Sequence, residues 1–138
     1  MQRIVIDTNV LVSALIQKSY PYLIINQVIS RNDLKLCLSD EIFSEYFAVL
    51  NRTKFSKYYE FRTRAELLLA DLERIGLHFN PQNKLDVISD KDDNKFLELC
   101  FEANADFLIT GDINDFTMKK FKNTLIVSPK EFWELHFI

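Results

Sequence analysis

Arg3-Ile4-Val5-Ile6-Asp7-Thr8-Asn9-Val10-Leu11-Val12 decides how the rest of the chain is read. Arg3–Ile6 is a short, apolar, β-branched run, the signature of a buried strand. It stops on an acid, a hydroxyl and an amide, and Val10-Leu11-Val12 then opens the next element. In open parallel α/β sheets, ligands bind beyond the carboxyl ends of the strands. A carboxylate therefore stands at a candidate site edge by the seventh residue. Asp7 alone reads equally well as a helix cap. Its meaning depends on whether other carboxylates converge on it.

Working outward, the pattern predicts further strands at Leu34–Leu38, Leu77–Phe79, Phe107–Ile109 and Leu125–Val127. Helical patterns lie between them. Tyr22–Ile29 is apolar and reads as a buried helix. Glu41–Leu50 gathers Ile42, Phe43, Tyr46, Phe47, Val49 and Leu50 on one broad face. Glu60–Ile75 repeats its apolar residues at Phe61, Ala65, Leu68, Leu69, Leu72 and Ile75, and Asp93–Asn104 at Phe96, Leu97, Leu99, Cys100 and Ala103; both spacings are helical. Ser128-Pro129-Lys130-Glu131 combines an N-cap serine, proline at the first helical position and glutamate at the third, a start signal for the last helix. Asn51–Tyr59 reads as a loop or short helix, and Asn80–Ser89 as a loop. Strands alternating with helices imply an α/β fold: a central parallel sheet of about five strands, flanked by helices on both faces.

The bulk composition agrees. A chain of 138 residues, 48% hydrophobic and with twelve Phe, is expected to form one domain over 1–138 with a real core. Two Gly and three Pro leave few flexible linkers. No apolar run is long enough to span a bilayer, and the N-terminus lacks a secretory signal pattern. Cys37 and Cys100 lie inside apolar patterns and read as buried free thiols, which points to a reducing cytoplasm. The net charge of −3 hides an asymmetry. Residues 86–115 hold nine acids against two lysines, whereas residues 52–64 hold five bases against Glu60.

Four acidic positions can be placed on this outline. Asp7 follows the first strand. Glu45 sits about 40° around its helix from Val49, on the border of the apolar face. Asp90, Asp92 and Asp93 precede and open a helix, where carboxylates are also favoured as caps. Asp112 follows Thr110-Gly111 past another strand, where turn chemistry is the plainer reading, and Asp115 comes three residues later. Carboxylates brought to one sheet edge repel unless protons or cations neutralise them. A hard dication such as Mg²⁺ or Mn²⁺ answers that need, lowering the pKa of a bound water and offsetting charge on a phosphate. A phosphate-binding glycine loop is absent, and His78 and His136 lack metal-ligand spacing.

These stretches resemble the PIN-domain nucleases, in particular the bacterial VapC-like group of toxin components from toxin–antitoxin pairs. The likeness is carried by Ile4–Leu15, Leu38–Leu50, Ser89–Leu99, Ala105–Asp112 and Val127–Phe132, in order along nearly the whole chain. The resemblance implies that Asp7, Glu45, Asp93 and Asp112 form an acidic metal-binding and catalytic quartet. Asp92 and Asp115 stand as alternative or accessory ligands. Thr110 matches the family's supporting hydroxyl, and Asn9 the polar residue beside the first aspartate. The activity so implied is Mg²⁺- or Mn²⁺-dependent cleavage of RNA phosphodiester bonds, with an antitoxin partner and a homodimer.

On the substrate side, Arg52, Lys54, Lys57, Arg62 and Arg64 interleave with Phe55, Tyr58, Tyr59 and Phe61. Bases can contact phosphates and aromatic faces can stack on unpaired bases. The same segment also reads as a solvated connector, as do Lys119, Lys120 and Lys122. Other functions remain open at this level: a PIN-fold RNA-binding module, or an RNA-processing nuclease without a toxin role. A phosphatase of the haloacid dehalogenase type also begins with a strand and an aspartate, but it requires Asp-x-Asp, and Asn9 holds the second position.

Overall fold

The computed structural model describes residues 1–86, 88, 91–111, 116 and 118–137, and of Lys91 and Asp92 the backbone alone. Strand β1 (Gln2–Ile6) leads into α1 (Thr8–Ile16) and α2 (Tyr20–Ser30). Next come β2 (Leu34–Leu38), α3 (Asp40–Leu50), a single 3-10 turn at Thr53–Phe55, and α4 (Phe61–Ile75). The chain continues through β3 (Leu77–His78), α5 (Lys91–Ala103), β4 (Phe107–Ile109), β5 (Lys120–Phe121), β6 (Thr124–Val127) and α6 (Pro129–Phe137).

The sheet order is β3-β2-β1-β4-β6-β5. The first five of these pair in parallel, with Ile4 opposite both Leu36 and Phe107, and β5 pairs antiparallel with β6. The expected five parallel strands are therefore present. The two-residue β5 is an addition that carries no alternation of its own; it is set by a tight return in which Lys122 adopts a left-handed φ of 51°. Ile4, Val5 and Ile6 are all fully buried, so β1 is covered on both faces. Right-handed crossovers put the β1→β2→β3 connections on one face and the return through α5 on the other, where α5 packs on β1, β2 and β4. The direction of winding reverses between β1 and β4. That switch point is where an α/β sheet opens a crevice at its carboxyl edge.

Local chemistry accounts for the helix boundaries. Ser39 caps α3 by accepting from the Ile42 amide at 3.2 Å, and Pro21 occupies the first turn of α2. At α6 the expected reciprocal cap forms: Glu131 N–H donates to the Ser128 hydroxyl at 3.1 Å, and Ser128 N–H donates to the Glu131 carboxylate at 2.9 Å. Among the described residues, no helix is long and apolar enough to cross a membrane.

The loop before α5 is fastened by a stripe on that helix. Asn94, Glu98 and Glu102 are spaced by four and share one face. They take the backbone N–H groups of Ile88 (3.1 Å), Leu85 (2.9 Å) and Gln82 (3.2 Å) respectively. Asn94 also donates to the Ile88 carbonyl at 2.9 Å. Asn94 and Glu98 are buried and supply backbone groups of the loop with partners that a neighbouring strand would supply elsewhere, whereas the Glu102–Gln82 bond lies at the surface.

Gly76, between α4 and β3, is required by space. A Cβ there would lie 2.4 Å from Leu38 Cδ1 and 2.8 Å from the Leu72 carbonyl oxygen. Gly76→Ala is expected to cost about 1–3 kcal/mol of stability through overpacking, measured by urea denaturation. Cys37 and Cys100 are buried and unpaired, as expected. Burial pushes the Cys37 thiol up to about 12 and the Cys100 thiol well above its ordinary range. Since the thiolate is the reactive form, neither should react with iodoacetamide in native protein at pH 8, and both should react in denaturant. Mass spectrometry of the two samples reads this directly.

Candidate active site

The carboxyl ends of β1 and β4 bring Asp7 and Thr110 together. Asp7 is 7% exposed and Thr110 is fully buried. Thr110 Oγ1 donates to Asp7 Oδ2 at 2.7 Å. The backbone fixes the pair: Asp7 N–H donates to the Ile109 carbonyl at 2.9 Å, and Thr110 N–H to the Val127 carbonyl at 3.0 Å. Asp7 occupies the N-cap position of α1 with extended backbone, yet its side chain makes no capping bond to the helix. The cap reading of Asp7 is thereby set aside in favour of a carboxylate held across the switch point.

Asn9 reaches across to the exit of β4. Its Oδ1 accepts from Gly111 N–H at 3.1 Å. A Cβ at Gly111 would stand 3.3 Å from that oxygen, so glycine makes the approach easy. This bond fixes the chain immediately before Asp112. Asp112, Asp115 and Asp90 lie outside the described residues, and so does the side chain of Asp92.

Glu45 is half-buried at the border of α3's apolar face, as its helical angle predicts. Its Oε2 accepts from the Thr8 hydroxyl, and its Oε1 lies 2.5 Å from the Lys95 ammonium. Asp93 is half-buried in the first turn of α5, two residues before Lys95. The contact between Lys95 and Glu45 joins the start of α5 to α3 beside the Asp7 edge.

Three contributors are not evident from sequence. Thr8 and Lys95 meet Glu45 only through the packing of α1, α3 and α5. Tyr46, fully buried beside Glu45 in sequence, donates its hydroxyl to the Ile6 carbonyl and so steadies the residue before Asp7. Burial first, then the charges of Asp7 and Glu45, raises the Tyr46 hydroxyl well above its usual range and keeps it a donor. An aromatic in an amphipathic helix gives no sign that its hydroxyl serves a strand terminus.

A groove of about 440 Å³ opens beside Thr8 and Asn9. Asn9 and Ser13 on α1, and Gln17 just past its end, contribute polar groups to it. Arg52 and Lys54 supply cations, and Val49 and Phe55 apolar surface. Of the five bases singled out in sequence, these two meet the groove. Arg62 shares a smaller neighbouring hollow with Arg52. Arg64 lines a separate groove with Leu67 and Asp71, and Lys57 lies over the Tyr58 ring at 5.3 Å. Phe55 and Phe61 stack at 4.9 Å within the core, while Tyr59 is exposed.

Asp7, Glu45 and Asp93 offer carboxylate oxygens, the donor chemistry that suits Mg²⁺ or Mn²⁺. Among the described residues, no three His, Cys, Asp or Glu side chains already stand in a metal-holding group.

Fold and site together define an α/β protein with an acidic edge at the switch point of its sheet. The PIN-domain family model matches residues 3–114, and the chain belongs to the PIN-domain family. An uncharacterised protein of Methanocaldococcus jannaschii is 29% identical over 141 aligned positions, covering 96% of this chain and 90% of that protein. The fold is similar to a chain in the crystal structure of VapBC2 from Rickettsia felis bound to a DNA fragment from its promoter. The TM-score is 0.58 at 14% identity, over 92% of this chain and 98% of that one.

Proposed function

We propose that this chain is a Mg²⁺- or Mn²⁺-dependent endoribonuclease that hydrolyses RNA phosphodiester bonds. The observation that carries the reading is the buried Asp7 carboxylate held by Thr110 at the β1–β4 switch point, with Glu45 at the same edge. Family membership supports it, since PIN domains are generally nucleases and typically depend on divalent metals. Asp7, Glu45, Asp93 and Asp112 would hold the cation, with Asp92 and Asp115 as accessory candidates. A bound dication would supply an activated water and offset charge on the scissile phosphate.

The chain's own residues orient and bind. Thr110 fixes the rotamer of Asp7 by occupying one carboxylate oxygen. Asn9 restrains the backbone that leads to Asp112. Arg52 and Lys54 would contact phosphates in the groove beside Asn9, and single-stranded RNA suits a groove that presents polar side chains on one wall and cations on the other.

We further propose a toxin role in the cytoplasm, with a cognate antitoxin as partner and a homodimer as the assembly. The fold's likeness to VapBC2 supports the toxin role and the antitoxin partner. Induced expression should arrest growth and co-expression of the antitoxin should relieve it; unimpaired growth would leave an RNA-processing role. The chemistry is tested by incubating purified protein with labelled single-stranded RNA. Cleavage with Mg²⁺ or Mn²⁺ that stops on adding EDTA is expected. Metal-independent cleavage, or none with either ion across varied RNAs, would overturn the proposal.

A further inference from the structure

Lys95 is a cation in direct contact with a residue proposed to hold a cation. Its ammonium lies 2.5 Å from Glu45 Oε1, and the two side chains are only 15% and 21% exposed. The other Glu45 oxygen accepts from Thr8. Both oxygens of this carboxylate are therefore engaged by the chain's own donors. The pair differs from the surface pairs Lys84–Glu41 and Lys130–Glu134, at 3.5 and 3.9 Å, whose lysine side chains are 80% and 67% exposed. Exposed pairs are screened and contribute little. A mostly buried pair interacts through a lower dielectric, and its attraction is several times larger.

The same low dielectric works against a second cation. A dication bound to Glu45 and an ammonium on the same carboxylate would repel strongly. The lysine stem has four methylenes and can carry its charge away without backbone movement.

We propose that Lys95 is a built-in competitor for the metal. In the metal-free protein it neutralises Glu45 and limits repulsion along the acidic edge. On metal binding it leaves Glu45, so the free energy of that ion pair sets the metal concentration at which the site fills. This rests on the metal-dependent reading above.

Isothermal titration calorimetry with Mn²⁺ compares wild type with Lys95→Met. The variant is expected to bind at least about tenfold more tightly, as loss of a competing charge requires. Equal or weaker binding by the variant overturns the competitor role and leaves Lys95 as a positioning residue for Glu45. A second readout needs no stable variant of altered charge. In wild type carrying ¹³C-labelled lysine, with the Lys95 signal assigned through Lys95→Arg, Mg²⁺ should shift the Lys95 side-chain resonance with the midpoint of metal binding. A Lys95 signal that stays fixed while metal binds overturns the proposal alone. Wild type that binds neither ion at millimolar concentration overturns both this proposal and the metal-dependent nuclease.

Discussion

Asp7→Asn is expected to lower the rate of RNA cleavage by about a thousandfold, the loss that follows when about 4 kcal/mol of transition-state stabilisation is removed. The substitution keeps the shape of the side chain and an oxygen that can accept from Thr110. It removes the charge that would hold the cation. Asp7 is nearly buried, so a neutral side chain there avoids the cost of desolvating a charge in the metal-free protein. The variant should therefore melt at the same temperature as wild type or higher. Cleavage rates and thermal denaturation, measured on the same preparations, check both halves. Loss of activity together with a lower melting temperature would instead mark Asp7 as structural.

Asn94→Ala is expected to destabilise the protein by about 2–4 kcal/mol. Asn94 is 2% exposed and bonds both backbone groups of Ile88. Alanine leaves that N–H and C=O without the side chain that satisfies them, and each unsatisfied buried group costs about 1–3 kcal/mol. The effect should appear in urea denaturation as a lower midpoint with an unchanged slope. Because Asn94 follows Asp93 and anchors the segment before α5, Mn²⁺ affinity should fall as well. Unaltered stability would mean that water replaces the amide at this position.

The two sites were legible in the sequence to different degrees. Asp7 could be placed because β1 is a clean β-branched run and its end is sharp. Glu45 could be placed because a helix turns by a fixed angle per residue, which put it on the edge of an apolar face. Thr110 and Asn9 entered through family resemblance, and the hydrogen bonds they make to Asp7 and Gly111 give that resemblance a physical content. Asn94 had no such signal. It reads as one more polar residue in an amphipathic helix, and its burial depends on the path of a loop with no periodicity. Lys95 failed for the same reason, because its partner lies fifty residues earlier on a different helix. The strand β5 was missed because Lys120-Phe121 lies among lysines, with no apolar run to mark a strand. Within the basic segment, composition could not say which bases share a groove; the 3-10 turn at Thr53–Phe55 and the start of α4 send Arg52 and Lys54 one way and Arg64 another.

The measurement that bears most directly on the central claim is anomalous diffraction from crystals grown with Mn²⁺. The account predicts a manganese peak in contact with an Asp7 carboxylate oxygen at the β1–β4 crevice, absent from crystals of Asp7→Asn. Manganese that binds elsewhere and leaves Asp7 uncoordinated, or that persists at this edge in the variant, would contradict it.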